Sequence, residues 1–476
     1  MRKIRRDTSF QINEETLKDL FEEHQEEQKR LDKMFKYYSN ENEITKRVYK
    51  DASGNKPQNR LSHPYGDYIT TIATGYLLGK PVTYLTEDSG LLETLTDVFK
   101  YNDEADNNST LAKYASIFGY SYEIMYSDED ANVRFKAIDP REMMVVYDNT
   151  LNEKILYAIR YYTNKIMKDG EETEVTNIEV YTKPEVNGNS ITAFGKIIYY
   201  TKKDDEIKIG PEDEEEHKFI DVPVNIYINN DEMYGDFEKV IPLIDAYDKT
   251  QSDTANDFEM FTHAMLVISG EVVDSDDKED IKDKFIINFT TSEGNAQYLI
   301  KNIQDTALEN YKNRLDADIH KFACVPNMGD EKFSGNSSGV SLKFKLISLE
   351  NKISVKEAKF KKGLMRRIEL ICHFLNIKKN DEYKYTDIEP TFTRSKPANE
   401  LEIAQVMQIL TGILSEETII SLFPAITDAQ AEIKRKQEEE NSKFDDYNTI
   451  EDNDNDVDVV ESEQKQGVAV DEEKEE

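Results

Sequence analysis

Apolar residues recur every three to four positions over several long stretches and alternate with polar ones between them, so helices and strands are sorted before any other property is read. From Asn13 to Tyr38, the residues Leu17, Leu20, Phe21, His24, Leu31, Met34, Phe35 and Tyr38 share one face, which predicts an amphipathic helix. The polar connector Asp51–Pro57 follows. Asn59-Arg-Leu-Ser-His-Pro-Tyr-Gly-Asp-Tyr68 then leads into a helix that continues through Tyr76 and gives way at Leu77-Leu-Gly-Lys-Pro-Val-Thr-Tyr84. Leu91–Tyr101 and Asn108–Phe118 predict two more helices. Strands are expected at Tyr122–Tyr126, Val133–Ile138, Met143–Tyr147, Ile155–Tyr162, Thr176–Tyr181 and Lys196–Tyr200, all β-branched or aromatic and separated by Asp, Asn and Gly turns. The charged stretch Asp204–His217 reads as a loop closing this β-rich region, followed by Val222-Pro-Val-Asn-Ile-Tyr227.

A long helix is predicted from Phe237 to Val267, with Pro242 tolerable only in its first turn. Val240, Ile244, Tyr247, Thr254, Phe258, Phe261 and Met265 define its apolar face, with Asp245, Asp248, Asp253 and Asp257 elsewhere. Short strands at Lys284–Phe289 and Gln297–Ile300 and a helix from about Ile303 to Phe322 come next. A loop rich in Gly, Asn and Ser, Met328–Gly339, then opens into a second long helix, with Ser337 or Ser338 as N-cap. Leu346, Leu349, Ile353, Phe360, Leu364, Ile368, Ile371 and Leu375 mark the buried face of that helix. Lys343, Lys345, Lys352, Lys356, Lys359, Lys361, Lys362, Arg366 and Arg367 lie between them, opposed between Lys343 and Arg367 only by Glu350 and Glu357. Such a basic helix either faces a polyanion, or forms a solvated face or pairs with acids of neighbouring chains. A helical unit closes the ordered chain at Asn399–Leu410, Glu416–Leu422 and Thr427–Glu440, with Ser415 placed to cap its second helix.

Charge sharpens the picture. The 476 residues carry a formal net charge of −36, and seventeen acids against three lysines fall between Gln437 and Glu476. That tail is too polar to bury a core and is expected to be disordered. A strongly acidic chain is a poor tight binder of nucleic acid, since affinity comes from cations that neutralise phosphates; the charge reads either as that of a well-solvated acidic protein or as a surface that faces DNA without holding it. No apolar run approaches the ~20 residues of a membrane-spanning helix, and the basic start Met1–Arg6 lacks the apolar stretch of a signal peptide. Cys324 and Cys372 are read as reduced structural thiols.

Catalytic and ligand-binding patterns fail on inspection. Gly75-Tyr-Leu-Leu-Gly-Lys-Pro81 is one residue short of a phosphate-binding loop and has proline where a Ser or Thr is needed, so a helix ending at glycine accounts for it better. Asp452–Asp458 imitates a calcium loop but has Val457 in place of the turn glycine. His24, His63, His217, His263, His320 and His373 show no metal-ligand spacing. No metal, cofactor or catalytic residue is expected. The glycine-punctuated loop remains the candidate functional segment, because protruding flexible loops carry function.

Several blocks together resemble the portal proteins of tailed bacteriophages, the type found in long-tailed phages of Gram-positive hosts. They are Asn59–Tyr65, Gly75–Pro81, Tyr120-Ser-Tyr-Glu-Ile-Met-Tyr126, Ile138-Asp-Pro-Arg-Glu-Met-Met-Val-Val-Tyr-Asp148, Asn256–Phe261, Phe333–Leu346 and Gly412–Ser415, in family order up to about Glu440. The resemblance implies an α+β portal fold. A mixed α/β wing would span residues 1–236, a first stem helix 237–268, a small α/β clip 269–302 and a second stem helix 303–328. A tunnel loop at 329–340, a long wing helix at 341–376, a helical crown at 377–440 and a disordered acidic tail at 441–476 would follow.

It also implies a homo-oligomeric ring of twelve subunits, or thirteen when isolated, at the portal vertex of the virion and assembled in the host bacterial cytoplasm. Double-stranded DNA would pass through the ring. Its partners would be the terminase large subunit, a head-tail adaptor protein, and the major capsid and scaffolding proteins, with no membrane and no enzymatic activity. Lys332, Ser334, Gly335, Asn336, Ser337, Ser338, Gly339, Lys343 and Lys345 would face the DNA. Glu271, Asp274, Asp276, Asp277, Phe285, Phe289 and Tyr298 would meet docking partners. Twelve copies at −36 each amount to −432, a like-signed wall that lowers DNA residence. A metal-dependent nuclease and a non-portal capsid scaffold or adaptor are the alternatives.

Overall fold

A computed structural model of the chain describes residues 3–48, 57–168, 171–187, 190–203, 206–261, 265–269, 295–299, 305–329, 339–379, 382–394, 400–423, 426 and 429–439. The first helix, α1 (Glu14–Tyr38), starts where its sequence provides a reciprocal cap. The Asn13 side chain accepts from the Thr16 amide, and Thr16 Oγ1 accepts from the Asn13 amide, an arrangement that contributes about 1 kcal/mol. Leu17, Leu20, Leu31 and Met34 are buried along its inner face. Helices α2 (Tyr65–Leu78), α3 (Ser89–Tyr101) and α4 (Glu104–Phe118) follow, and Gly79 ends α2 as expected. Thus Gly75–Pro81 is a helix end leading to an extended segment, with no phosphate cradle.

Strands β1 (Ile4–Arg6), β5 (Met143–Asp148), β6 (Ile155–Lys168), β7 (Glu171–Thr182), β10 (Lys196–Lys203) and β11 (Glu206–Glu216) form one sheet in that spatial order. Only β1 pairs parallel; the rest are antiparallel. Between these, β2 (Thr83–Thr86) pairs with a later strand, and β8 (Glu185–Asn187) with β9 (Ser190–Ala193) makes a small ribbon. One face of the six-stranded sheet packs Met144, Val146, Ile159 and Val180 against Leu17 and Leu20 of α1. A second sheet, ordered β12 (Val224–Ile228), β3 (Tyr120–Ser127), β4 (Val133–Ile138), packs against α4 and the long basic helix.

The edge of β4 is closed by side chains. Asn102 Oδ1 accepts from the Phe135 amide at 3.1 Å, and Asn107 Oδ1 from the Ala137 amide at 2.7 Å. On β11, the Ile209 amide donates to Glu14 of α1 at 3.3 Å. Carboxamide and carboxylate oxygens thus satisfy ladder donors that would otherwise be open to another strand.

β11 corrects one expectation, since Asp204–His217 was read as a loop. As an edge strand it can keep its charges in water, and its carboxylates find cross-strand partners: Lys196 donates to Glu214 at 2.6 Å and Tyr199 to Glu215 at 3.0 Å. The long helix expected over Phe237–Val267 is corrected too. Helix α5 spans Ile241–Phe261, with Pro242 in its first turn, and Met265–Ser269 is strand β13, paired antiparallel with β14 (Asn295–Leu299). The Leu266-Val-Ile run satisfies its backbone in that ladder instead of continuing the helix. Phe258 is 59% exposed, whereas Asp248 and Ser252 are fully buried. Burial on α5 follows polar residues because the extended segment 57–64 covers this flank through hydrogen bonds. The strand expected at Lys284–Phe289 lies outside the described residues.

Helix α6 (Asp305–Ala323) packs beside α5, and α7 (Gly339–Lys379) runs 41 residues, about 60 Å. All eight apolar positions expected on the inner face of α7 are buried. β15 (Ile388–Thr391) then pairs with β2. At Gly363 the helix lies so close to β12 that a Cβ would meet the Tyr227 ring at 2.4 Å. The chain divides into units Met1–Lys396 and Pro397–Glu476. The second unit holds α8 (Glu400–Leu410), α9 (Glu416–Ser421) and a helix at 429–439, with Ser415 accepting from the Thr418 amide as cap.

Candidate DNA-channel segment and the anchoring of the long helix

The loop singled out by sequence leaves the body at a well-tied root. Tyr68 Oη donates to the Pro326 carbonyl at 2.9 Å and accepts from the Met328 amide at 2.8 Å. Asn327 donates to Asp316 at 3.1 Å and accepts from the Gly329 amide at 2.9 Å. Lys332, Ser334, Gly335, Asn336, Ser337 and Ser338 lie outside the described residues, including the two candidate N-caps. Gly339 is the first residue of α7. Lys343 is exposed, Lys345 is half-buried, and Phe344 beside them is 70% exposed. The loop therefore joins a pinned start, just after α6, to the partly exposed first turns of α7.

Most of the remaining α7 cations are turned inward. Lys352 donates to the Ala323 carbonyl at 2.8 Å and lies 3.1 Å from Asp236, which also accepts from Lys356 at 2.5 Å, from Ser116 and from Asn229. Burial pushes the Asp236 carboxyl up, but the two ammonium groups outweigh this and hold it well below the usual carboxylate range. Lys359 pairs with Asp231, Lys361 with Glu389 at 2.5 Å, and Arg366 with Asp221 at 2.7 Å. Of the three α7 glutamates, Glu350 and Glu357 are both bound by Arg394, and Glu369 pairs with Arg366. From Lys352 to Arg367 these cations therefore pair mainly with acids of the same chain, neither forming one solvated face nor lying open to a polyanion, while Lys362 is exposed.

Arg367 is the extreme case. Its guanidinium is fully buried and bonds Glu123 through Nε at 3.0 Å and Nη2 at 2.6 Å. It also reaches Glu104 at 3.2 Å and Asn108 at 2.8 Å, and lies 4.4 Å from the Phe135 ring centroid. Glu123 further accepts from Asn107, Asn225 and Tyr227. Burial works against the charged guanidinium, yet Glu123 and Glu104 raise its pKa far above the ordinary value. The site clamps α7 to β3, α4 and β12. Arg367 and Glu123 are both fully buried there.

Of the candidate docking residues, only Tyr298 is described, on β14 opposite Leu266. Glu271, Asp274, Asp276, Asp277, Phe285 and Phe289 lie outside the described residues, as does the acidic tail beyond residue 439. On the two paired helices that lead to and from the hairpin, α5 carries five carboxylates against Lys249 alone, and α6 four against three cations. Among the described residues no group of three His, Cys, Asp or Glu side chains could hold a metal ion. No described helix is long and apolar enough to cross a membrane. Cys324 and Cys372 are both free, and burial pushes the Cys372 thiol up to about 12. Asp236 and Glu123 were missed from sequence, since each is one carboxylate among many and its cationic partners lie more than a hundred positions away.

Comparison with known proteins gives this arrangement a context. A portal protein of Bacillus phage SPP1 is 28% identical over 487 aligned positions, covering 95% of this chain and 92% of that protein. A portal protein of Clostridium phage phiCD119 is 27% identical over 440 positions, covering 87% and 94%. The family model described as phage portal protein, SPP1 Gp6-like, matches residues 17–443, from within α1 to just past the last described helix. With nine-tenths of the sequence inside that match, the chain belongs to the SPP1 Gp6-like family of phage portal proteins.

Proposed function

We propose that this chain is the protomer of a portal ring at one capsid vertex, through which double-stranded DNA enters during packaging and leaves during ejection. The observation that carries the reading is the family match over residues 17–443. In this reading residues 1–236 and α7 form the wing, α5 and α6 the stem, and residues 269–302, with the β13–β14 ribbon, the clip. Residues 329–340 form the tunnel loop, and 377–440 the crown. The clip is the docking platform for the packaging terminase and later for head-tail adaptor proteins.

The charge layout supports a passive channel. The stem helices are net acidic, and the cations of α7 from Lys352 to Arg367 are largely neutralised inside the body. Lys332 and Lys343, with the loop hydroxyls and amides, are then donors for brief, salt-sensitive phosphate contacts. A duplex meeting a like-signed wall with sparse donors is guided without being held. The work of translocation comes from a separate ATPase.

End-on negative-stain images of the purified protein test the reading. A closed ring of about twelve subunits with an axial channel wide enough for a duplex is expected. A monomer at high concentration, or degradation of DNA by the protein with Mg²⁺ or Mn²⁺, would refute it.

A further inference from the structure

Residues 57–64 approach α5 in a register that neither segment announces alone. Three alternate backbone amides of the segment donate to three side chains of α5 spaced four apart. Asn59 N reaches Asn256 Oδ1 at 2.8 Å, Leu61 N reaches Ser252 Oγ at 2.9 Å, and His63 N reaches Asp248 Oδ1 at 3.1 Å. Two residues of extended chain rise about 6.6 Å and four residues of helix about 6.0 Å, so the antiparallel match persists over three repeats. Side chains reinforce it. Asn59 Nδ2 donates to Asn256 and Glu259, and His63 Nδ1 to Asp248 at 2.7 Å. At its other side Ser62 Oγ donates to the Asn40 carbonyl, just beyond α1.

The fastening is almost wholly polar. Leu61 points away, 42% exposed, and Gln58 and Arg60 are exposed. The one ring contact is His63 edge-on to Tyr247, with centroids 4.9 Å apart. Water can replace each of these bonds, so separation exposes little apolar surface. Nor does α5 depend on the segment for its own turns, because Ser252 Oγ also donates back to the Asp248 carbonyl and Asn42 keeps a 2.6 Å bond to Asp248.

We propose that residues 57–64 are a releasable strap that fixes α5 to the end of α1, and that opening the strap frees α5 to tilt while DNA passes. The second clause rests on the portal reading; the first does not. Hydrogen exchange on the purified protein, read by mass spectrometry with residue-level fragmentation, tests the first. The amides of Asn59, Leu61 and His63 exchange through one common opening, faster than the amides of Ile244 and Tyr247. Ser252→Ala removes the central acceptor while replacing serine by a better helix former. It speeds exchange at all three strap amides at least tenfold and leaves the first turns of α5 within threefold. Exchange at three unrelated rates, or a Ser252→Ala effect confined to Leu61, overturns the strap.

The second clause is tested by Asn59→Cys with Asn256→Cys, oxidised and then reduced in the same preparation. Oxidised protein forms rings of unchanged subunit number but packages at least tenfold less DNA, and reductant restores packaging. Equal packaging in the two states overturns the tilting role. Wild-type protein that forms no ring would refute the portal reading instead, leaving the exchange result standing.

Discussion

Replacing Arg367 by Met is expected to be among the most destabilising single changes in the body of the protein. The substitution keeps an unbranched side chain beside Phe135 and Tyr227 but removes the one cation that, among the described residues, bonds Glu123, which is fully buried. Glu104 loses the same partner and keeps its bonds from Tyr84 and Asn108. Stranding a buried carboxylate in this way costs about 3 to 5 kcal/mol. With a urea slope of about 3 kcal/mol/M, the unfolding midpoint falls by roughly 1 to 1.7 M. The control is Arg367→Met combined with Glu123→Gln. Asn107, Asn225 and Tyr227 surround that position with hydrogen-bonding groups, so a neutral amide can be accommodated there. The double variant is expected to recover at least half of the loss, a coupling of about 2 kcal/mol. The reasoning fails if the single variant loses less than about 1 kcal/mol, or if the double variant is worse than the sum of its parts.

Gly363→Ala is expected to destabilise by about 1 to 2 kcal/mol, measured by urea midpoint, although alanine gains about 1 kcal/mol in helix propensity. Its Cβ would press on the buried Tyr227 ring, which the bond to Glu123 holds in place. Burial lowers the pKa of His24 and of His217, so the unfolded chain binds more protons than the folded one below about pH 6.5. Stability is therefore complete above that pH and falls as pH drops, by up to about 1.4 kcal/mol per unit for each histidine; thermal melts of His24→Gln with His217→Gln should show a shallower acid slope. Gly339→Pro is tolerated by the fold, because proline fits the first position of a helix. Together with Gly335→Pro it is expected to leave ring assembly intact in electron micrographs while impairing packaging or retention of DNA; normal packaging in both variants would count against the loop.

Local rules were legible wherever a residue's neighbours in sequence are also its neighbours in space. The periodicity from Leu346 to Leu375 identified the inner face of α7, Asn13 and Ser415 sat where caps belong, and Pro242 fell in a first turn. Long-range pairing was illegible for an equally physical reason. A lysine such as Lys356 looks the same whether it meets water or an aspartate 120 positions away, and only the fold brings Asp236 to it. Charge also misled at β11, where glutamates that suggest a loop occupy an edge strand with lysine and tyrosine opposite. The register of residues 57–64 is illegible in their own sequence, since it exists only against α5. Which of the basic residues of the long helix remain outward depended on coordinates, since burial and pairing are not written in the local pattern.

The asparagines that cap the edge of β4, and the glutamate on β11, have a consequence for how many copies can meet safely. Newly made protomers gathering at high local concentration run the risk of strand exchange, in which one molecule's ladder is completed by another's and the product is an insoluble tangle. Here two amides on the edge of β4 and one on β11 are already engaged by side chains from the same molecule. At these edges neighbours are left to meet through side-chain surfaces, whose fit can be reversed and corrected until the count of subunits is right.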